Sequence, residues 1–329
     1  MCRLPHAQAY PQPVRRSRRR EFLQQNAALL SSLAVGLASP SLAGAATRSQ
    51  AGDQQQASNK AASASSLQDD SVLVFDAHLH CPAESGELWQ WHPVTHNFEE
   101  FVAYLDRTGV QQGIINSQRC QHNGTPAEFQ AGNREVARYV EKYKGRFLGS
   151  CVVNPLFIDE ALREIEDCRK QFGFVWVGEL CNYMKPSYSY TIKEFALLVE
   201  QVVKHNMILD VHTELEEMEF IIEKFPQATI VFPHFGDDRE HAHIFKRIER
   251  VAHNSNCYLD TSGYGHDRVG MLEYAVKTIG PDRVLFGSDF SINDPSTVIA
   301  RIQHSFLTNE QKRKILGGNL VRLLKRVQV

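Results

Sequence analysis

The chain predicts one (β/α)8 barrel with an extra C-terminal helix, and three observations carry that prediction. Short β-rich runs alternate with helical patterns eight times between residues 72 and 326, the repeat that a closed barrel requires. No glycine-rich phosphate loop follows the first run, which argues against an open, doubly wound nucleotide-binding sheet. The polar residues unusual for buried strands fall at strand ends, where barrels of this type carry their chemistry.

The elements follow from the pattern in order. The first strand is Val72 to His80, closed by Phe75-Asp76-Ala77-His78-Leu79-His80. A loop with Trp89, Trp91 and His92 leads to a helix over Asn97–Thr108. There Phe98, Phe101, Val102 and Leu105 share one face, and Asn97 with Glu100 forms a capping box. Gln112–Ser117 is the second strand and Pro126–Lys144 a helix; Phe147–Asn154 is the third strand, with a helix over Asp159–Phe172. Val175–Leu180 is the fourth strand, followed by a helix over Thr191–His205. Met207–His212 is the fifth, with a helix over Glu214–Phe225, and Ala228–Phe232 the sixth, with a helix over Glu240–His253. Cys257–Thr261 is the seventh strand, followed by a helix over Val269–Ile279, and Val284–Asp289 the eighth. Helices over Pro295–His304 and Asn309–Arg326 finish the barrel.

Residues 1–45 read as an export signal. Arg15, Arg16, Arg18, Arg19 and Arg20 form a charged start, Ala27–Leu42 is moderately apolar, and Ala43-Gly44-Ala45 suits signal cleavage. The Arg19-Arg20-Glu21-Phe22-Leu23 run resembles a twin-arginine signal, which implies the twin-arginine export machinery as a partner and a periplasmic location. Residues 46–71, rich in Gln, Ser and Ala, read as a flexible linker, leaving 72–329 as the barrel domain with no membrane span in the mature chain.

With 36 Lys and Arg against 38 Asp and Glu, and basic residues scattered beyond the leader, no nucleic-acid surface is indicated. A small-molecule substrate is the expected partner, and a homo-oligomer is compatible with the sequence. Seven cysteines without a CxxC pair give no disulfide framework; Cys81, Cys120, Cys151, Cys168, Cys181 and Cys257 read as small buried hydrophobes.

Side chains two apart on a strand share a face, so His78 and His80 project together from the first strand end. Glu179 ends the fourth strand, His212 the fifth, His234 follows the sixth and Asp289 ends the eighth. Singly, each has a structural explanation, such as a core histidine bonded to a carbonyl or an aspartate capping a helix. Together they put metal-competent side chains at five strand ends.

Asp76-Ala77-His78-Leu79-His80, Val211-His212, Pro233-His234-Phe235-Gly236 and Leu285-Phe286-Gly287-Ser288-Asp289 resemble the amidohydrolase superfamily. They match best its amidohydrolase-related branch, the TIM-barrel metal-dependent hydrolases, and Ile315–Leu324 is similar to that branch's C-terminal helix signature. The resemblance implies His78, His80, His212 and Asp289 as ligands of one divalent ion, zinc by expectation, with His234 facing the substrate. On that reading Asp289 accepts a proton from metal-activated water and His234 polarises a carbonyl. The bridging lysine of two-metal members is absent; Glu179 stands there as a ligand, a bridge to a second ion or an orienter of His212.

Hydrolysis of an ester, lactone or amide in a small organic substrate is therefore the first expectation. Non-oxidative decarboxylation or hydration of an unsaturated or aromatic acid is the alternative, and a two-metal phosphoesterase similar to TatD-like nucleases is another. A metal-binding or sensory barrel without turnover is the reading from outside enzymology. Arg119 and Tyr264, in the loops after the second and seventh strands, and Asn154, which ends the third, are candidates for substrate binding, with His122 and His266 in the same two loops.

Overall fold

The computed structural model describes residues 72–84, 97–236 and 241–327. The expected export signal and linker, the Trp89–Trp91–His92 loop and the expected helix start at Glu240 lie outside the described residues. Eight parallel strands follow one another in order around the sheet, β1 to β8. They are β1 Phe75–Cys81, β2 Gln112–Ser117, β3 Phe147–Cys151, β4 Trp176–Cys181, β5 Ile208–His212, β6 Thr229–Phe232, β7 Cys257–Asp260 and β8 Val284–Leu285. The ring closes through the chain beyond β8. Ala77 N donates to Phe286 O (2.8 Å), Asp289 N to His78 O (3.0 Å) and His80 N to Phe290 O (2.6 Å).

The helices are α1 Phe98–Thr108, α2 Gln118–His122, α3 Pro126–Lys142, α4 Ile158–Phe172, α5 Lys193–Lys204, α6 Leu215–Lys224 and α7 His241–His253. They continue as α8 Met271–Ile279, α9 Pro295–Gln303, α10 Asn309–Arg313 and α11 Asn319–Val327. The large apolar cluster lies between the sheet and these helices, for example Phe101, Phe129, Ile165, Phe195 and Ile248 against Leu79, Ile115 and Val177. In α1, Asn97 accepts from Glu100 N, which is the N-cap half of the expected capping box, and Gly109 closes the helix at φ 83°.

A second cluster joins Phe75, Ile114, Trp176, Ile208 and Leu285, from the early part of their strands, to Leu320, Leu323, Leu324 and Val327 of α11. That helix therefore stoppers the N-terminal end of the barrel.

Three expected elements differ from the structure, and one element is additional. The expected helix over Asn309–Arg326 is α10, a π-turn at Lys314–Gly318 and α11. A Cβ on Gly317 would sit 2.6 Å from the Leu73 carbonyl, so this close approach requires glycine. The expected third strand stops at Cys151, and Asn154 instead caps the 3-10 turn Pro155–Phe157. The regular part of the eighth strand is short because Phe286–Asp289 turns away to close the barrel and reach its mouth. The short α2, carrying Arg119 and His122, was not expected; Ser117 caps it through Arg119 N.

All six cysteines of the barrel are free and buried. Among the described residues no helix is long and apolar enough to cross a membrane.

Candidate metal centre

His78 and His80 project from β1 into the mouth of the barrel, their Nε2 atoms 3.1 Å apart. Asp289 Oδ1 lies 3.0 Å from His80 Nε2 and 3.7 Å from His78 Nε2. A second group is Glu179, His212 and His234. His212 Nδ1 lies 2.8 Å from Glu179 Oε1, and His234 Nε2 lies 3.5 Å from the same oxygen. Glu179 Oε2 faces back to His78 and His80 at 3.5 and 3.6 Å. The structure thus gathers every strand-end residue singled out in the sequence. His212, however, meets the His78–His80–Asp289 trio across Glu179 rather than sitting inside it.

The partners of the imidazoles set their tautomers. His78 Nδ1 lies 3.1 Å from Asp260 Oδ2, and His80 Nδ1 lies 2.9 Å from Asn116 Oδ1. Both acceptors hold a proton on Nδ1, which turns the two Nε2 lone pairs towards each other. Two lone pairs at 3.1 Å beside two carboxylates repel unless a cation or a proton lies between them. Bonds of about 2.1 Å to one ion put neighbouring ligand atoms roughly 3.0 to 3.4 Å apart; the His78–His80 and His80–Asp289 separations match a divalent ion, and the His78–Asp289 separation of 3.7 Å is wider. His234 follows the same logic: its Nδ1 lies 3.0 Å from Ser262 Oγ, and Ser262 Oγ itself donates to Asp260.

Burial opposes charge on His78, but Glu179 and Asp260 outweigh it and push the imidazole pKa well above its usual value. Burial likewise opposes ionisation of Glu179, but His78 and the hydrogen bonds from His212 and His234 hold its carboxyl well below the usual range. Both shifts show a pocket that demands positive charge.

The backbone is strained where it delivers two of these groups. His234 sits at φ 64° and Asp289 at φ 63°, a left-handed conformation that costs about 1 to 2 kcal/mol outside glycine and collects at functional sites. Gly263, at φ 59°, lies against the His234 ring so closely that a Cβ would strike Nδ1.

Asn116, Asp260 and Ser262 were missed in the sequence. Asp260 is fully buried, and its Oδ1 accepts from Ser262 N (2.8 Å) and His234 N (3.2 Å). An aspartate ending an apolar strand is the signal that could have found it. Of the loop candidates, Tyr264 stands at the mouth, 62% exposed. Arg119 instead pairs with Glu128 (2.6 Å) and Glu135 (3.1 Å). Asn154 donates to Pro186 O (2.8 Å) and accepts from Leu156 N (3.0 Å), which commits both ends of its amide to the loop.

A closed eight-stranded barrel with histidines and carboxylates converging at its C-terminal mouth defines a barrel enzyme with a candidate metal centre. The amidohydrolase family profile matches residues 75–326, and the chain belongs to that family. A γ-resorcylate decarboxylase of a Polaromonas species is 25% identical over 285 residues, covering 70% of this chain and 84% of that protein. Among solved structures, a Sphingomonas paucimobilis 5-carboxyvanillate decarboxylase superposes with a TM-score of 0.60 at 15% identity, covering 78% of this chain and 99% of the other. A dihydroxybenzoic acid decarboxylase of Polaromonas, solved with bound manganese and 2-nitroresorcinol, gives 0.59 at 18% identity over 77% and 97% of the two chains.

Proposed function

We propose that this enzyme is a metal-dependent, non-oxidative decarboxylase of a small hydroxylated aromatic acid. The observation that carries the reading is the relative at 25% identity over 285 residues, a decarboxylase of γ-resorcylate, set beside a His–His–Asp cluster of the kind a divalent ion needs. His78, His80 and Asp289 would hold the ion, with Glu179 reaching it from the side of His212 and His234. Once bound, it supplies positive charge to orient the substrate carboxylate and a neighbouring phenol oxygen. Loss of carbon dioxide breaks the ring–carboxyl bond and leaves its electron pair on the ring carbon, which must take up a proton. Asp289 is the group placed to carry that proton. It is nearly buried, at 6% exposure, and Asn293 Nδ2 holds its outer oxygen at 3.3 Å.

Hydrolysis by metal-activated water is the second reading, favoured by the donor set and by the family. Incubation of manganese- and zinc-loaded protein with hydroxybenzoates and with an ester and lactone panel separates the two. Carbon dioxide and the decarboxylated phenol support the proposal. Release of acid from esters or lactones, without carbon dioxide from any benzoate, overturns it in favour of hydrolysis.

One ion per chain, zinc or manganese, is part of the same proposal, and elemental analysis of protein purified without added metal tests it. Two ions per chain would make Glu179 a bridge. The export reading also belongs here: blocking the twin-arginine route should leave the full-length chain in the cytoplasm, and a processed periplasmic protein under that block would refute it.

A further inference from the structure

β5 and β6 are neighbours in the barrel, and the residues they deliver, His212 and His234, meet at the mouth with ring centroids 4.9 Å apart. The ladder between the two strands does not reach them. Its paired register runs Ile208–Thr229, Leu209–Ile230 and Asp210–Val231, so both histidines lie beyond the last pair. There one side chain joins the two strand ends. Arg247 of α7 donates from Nη1 to the Thr213 carbonyl (2.5 Å) and to Thr213 Oγ1 (3.3 Å). From Nη2 it donates to the carbonyls of Pro233 (3.1 Å) and His234 (3.3 Å).

Arg247 stands where an apolar residue would be expected. Ile244, Ile248 and Val251 form the buried stripe of α7, and Arg247 falls on that stripe at helical spacing, only 3% exposed. A buried charge is costly unless its N–H groups are met, and here the two arms of the planar fork are committed to two different strand ends. His234 is left-handed at φ 64°, a conformation that persists only where its surroundings over-determine it. Its peptide groups are held on both sides: the N–H donates to Asp260 Oδ1 (3.2 Å) and the carbonyl accepts from Arg247. Thr213 directly follows His212, whose Nδ1 lies 2.8 Å from Glu179 Oε1, and His234 Nε2 reaches the same oxygen at 3.5 Å. One guanidinium thus bears on how two imidazoles meet a single carboxylate.

We infer that Arg247 is a positioning residue, whose guanidinium takes the place of the missing ladder between β5 and β6 and sets where His212 and His234 meet Glu179. It acts through these two histidines. The inference rests on the proposed reading of the barrel mouth as the reacting site, but its test does not depend on which reaction occurs there.

Histidine-selective NMR on metal-free and zinc-loaded protein compares wild type, Arg247→Met, Arg247→Lys and Leu323→Ala, a destabilising change at the opposite end of the barrel. Ring-nitrogen shifts report how His212 and His234 meet Glu179, and the His234 Cα and Cβ shifts report its left-handed backbone. In Arg247→Met both sets should move, while the rings of His78 and His80, fixed by Asp260 and Asn116, stay. Leu323→Ala should leave all four rings as in wild type. Arg247→Lys keeps the charge without the fork and should displace His212 and His234 in the same direction by less; it decides the matter where the Met variant does not fold. Unmoved His212 and His234 in a folded variant, equal movement of all four histidines, or failure of both variants to fold overturns the inference. Turnover is scored separately. Where carbon dioxide is released, kcat should fall by on the order of 100-fold in Arg247→Met, the cost of about 1 Å of misplacement, and stay near wild type in Leu323→Ala. Moved histidines in a protein that releases no carbon dioxide would refute the decarboxylase reading and leave the positioning role standing; carbon dioxide release with unmoved histidines would do the reverse.

Discussion

Asp260→Asn is the perturbation that interrogates the centre most directly. Asp260 uses one oxygen to fix the His78 ring at 3.1 Å and the other to accept from two backbone N–H groups, those of Ser262 and His234. An asparagine has one acceptor oxygen, and the two backbone donors claim it. The amide NH2 then faces His78 Nδ1 and needs an acceptor there. The imidazole proton must move to Nε2, and the lone pair directed at the ion is lost. Removing such an orienting partner commonly costs 10- to 100-fold in metal affinity, or about 1.4 to 2.7 kcal/mol. The upper end applies here, because Asp260 is fully buried and water cannot substitute for it. Competition against a chromophoric chelator, on stripped protein at neutral pH, reads the loss. Ring-nitrogen NMR of the metal-free variant reads the tautomer. A folded variant with wild-type affinity and the proton still on Nδ1 would refute the reasoning.

Three further expectations follow from the same geometry. His78→Ala or His80→Ala should abolish stoichiometric metal binding while leaving a folded barrel, since each removes one Nε2 from the trio; unchanged metal content in either would dismiss the site. Leu323→Ala, in the stopper helix and 1% exposed, should cost about 2 to 5 kcal/mol in urea unfolding, and a loss under 1 kcal/mol would show that α11 does not seal the barrel. His266 has a folded pKa of about 4, below its usual 6.5, so the unfolded chain takes up the proton first as pH falls. Stability should therefore be fully present above pH 6.5 and lost as pH drops towards 4. In chelator-treated protein, wild type should lose roughly 2 to 3 kcal/mol more than His266→Phe between pH 7 and 4.5. Parallel pH profiles would contradict a buried, neutral imidazole.

The eightfold alternation and the strand-end histidines were legible because both are local properties. A continuous apolar run ending in His-Leu-His specifies a buried strand, and the two-residue side-chain repeat of a strand specifies the face its imidazoles share. The same holds for Glu179, His212, His234 and Asp289, each placed by the strand that precedes it. The reaction was less legible, since hydrolysis and decarboxylation draw on the same ligands; the proposal of decarboxylation rests on the activity of a relative rather than on the motif.

What only the tertiary structure decided are the relations between strands. The division of the six ligand-like residues into two groups joined by Glu179, the tautomers set by Asp260 and Asn116, and the left-handed backbone of His234 and Asp289 all depend on how closing the barrel brings distant segments together. Arg119 illustrates the same limit. In sequence it is a cation in a loop after a strand, and only folding brings it to Glu128 and Glu135. The sequence by itself determined which chemistry reaches the mouth of the barrel. Folding decided which atoms face one another there, because register and closure are set by packing across all eight strands and not by any one of them.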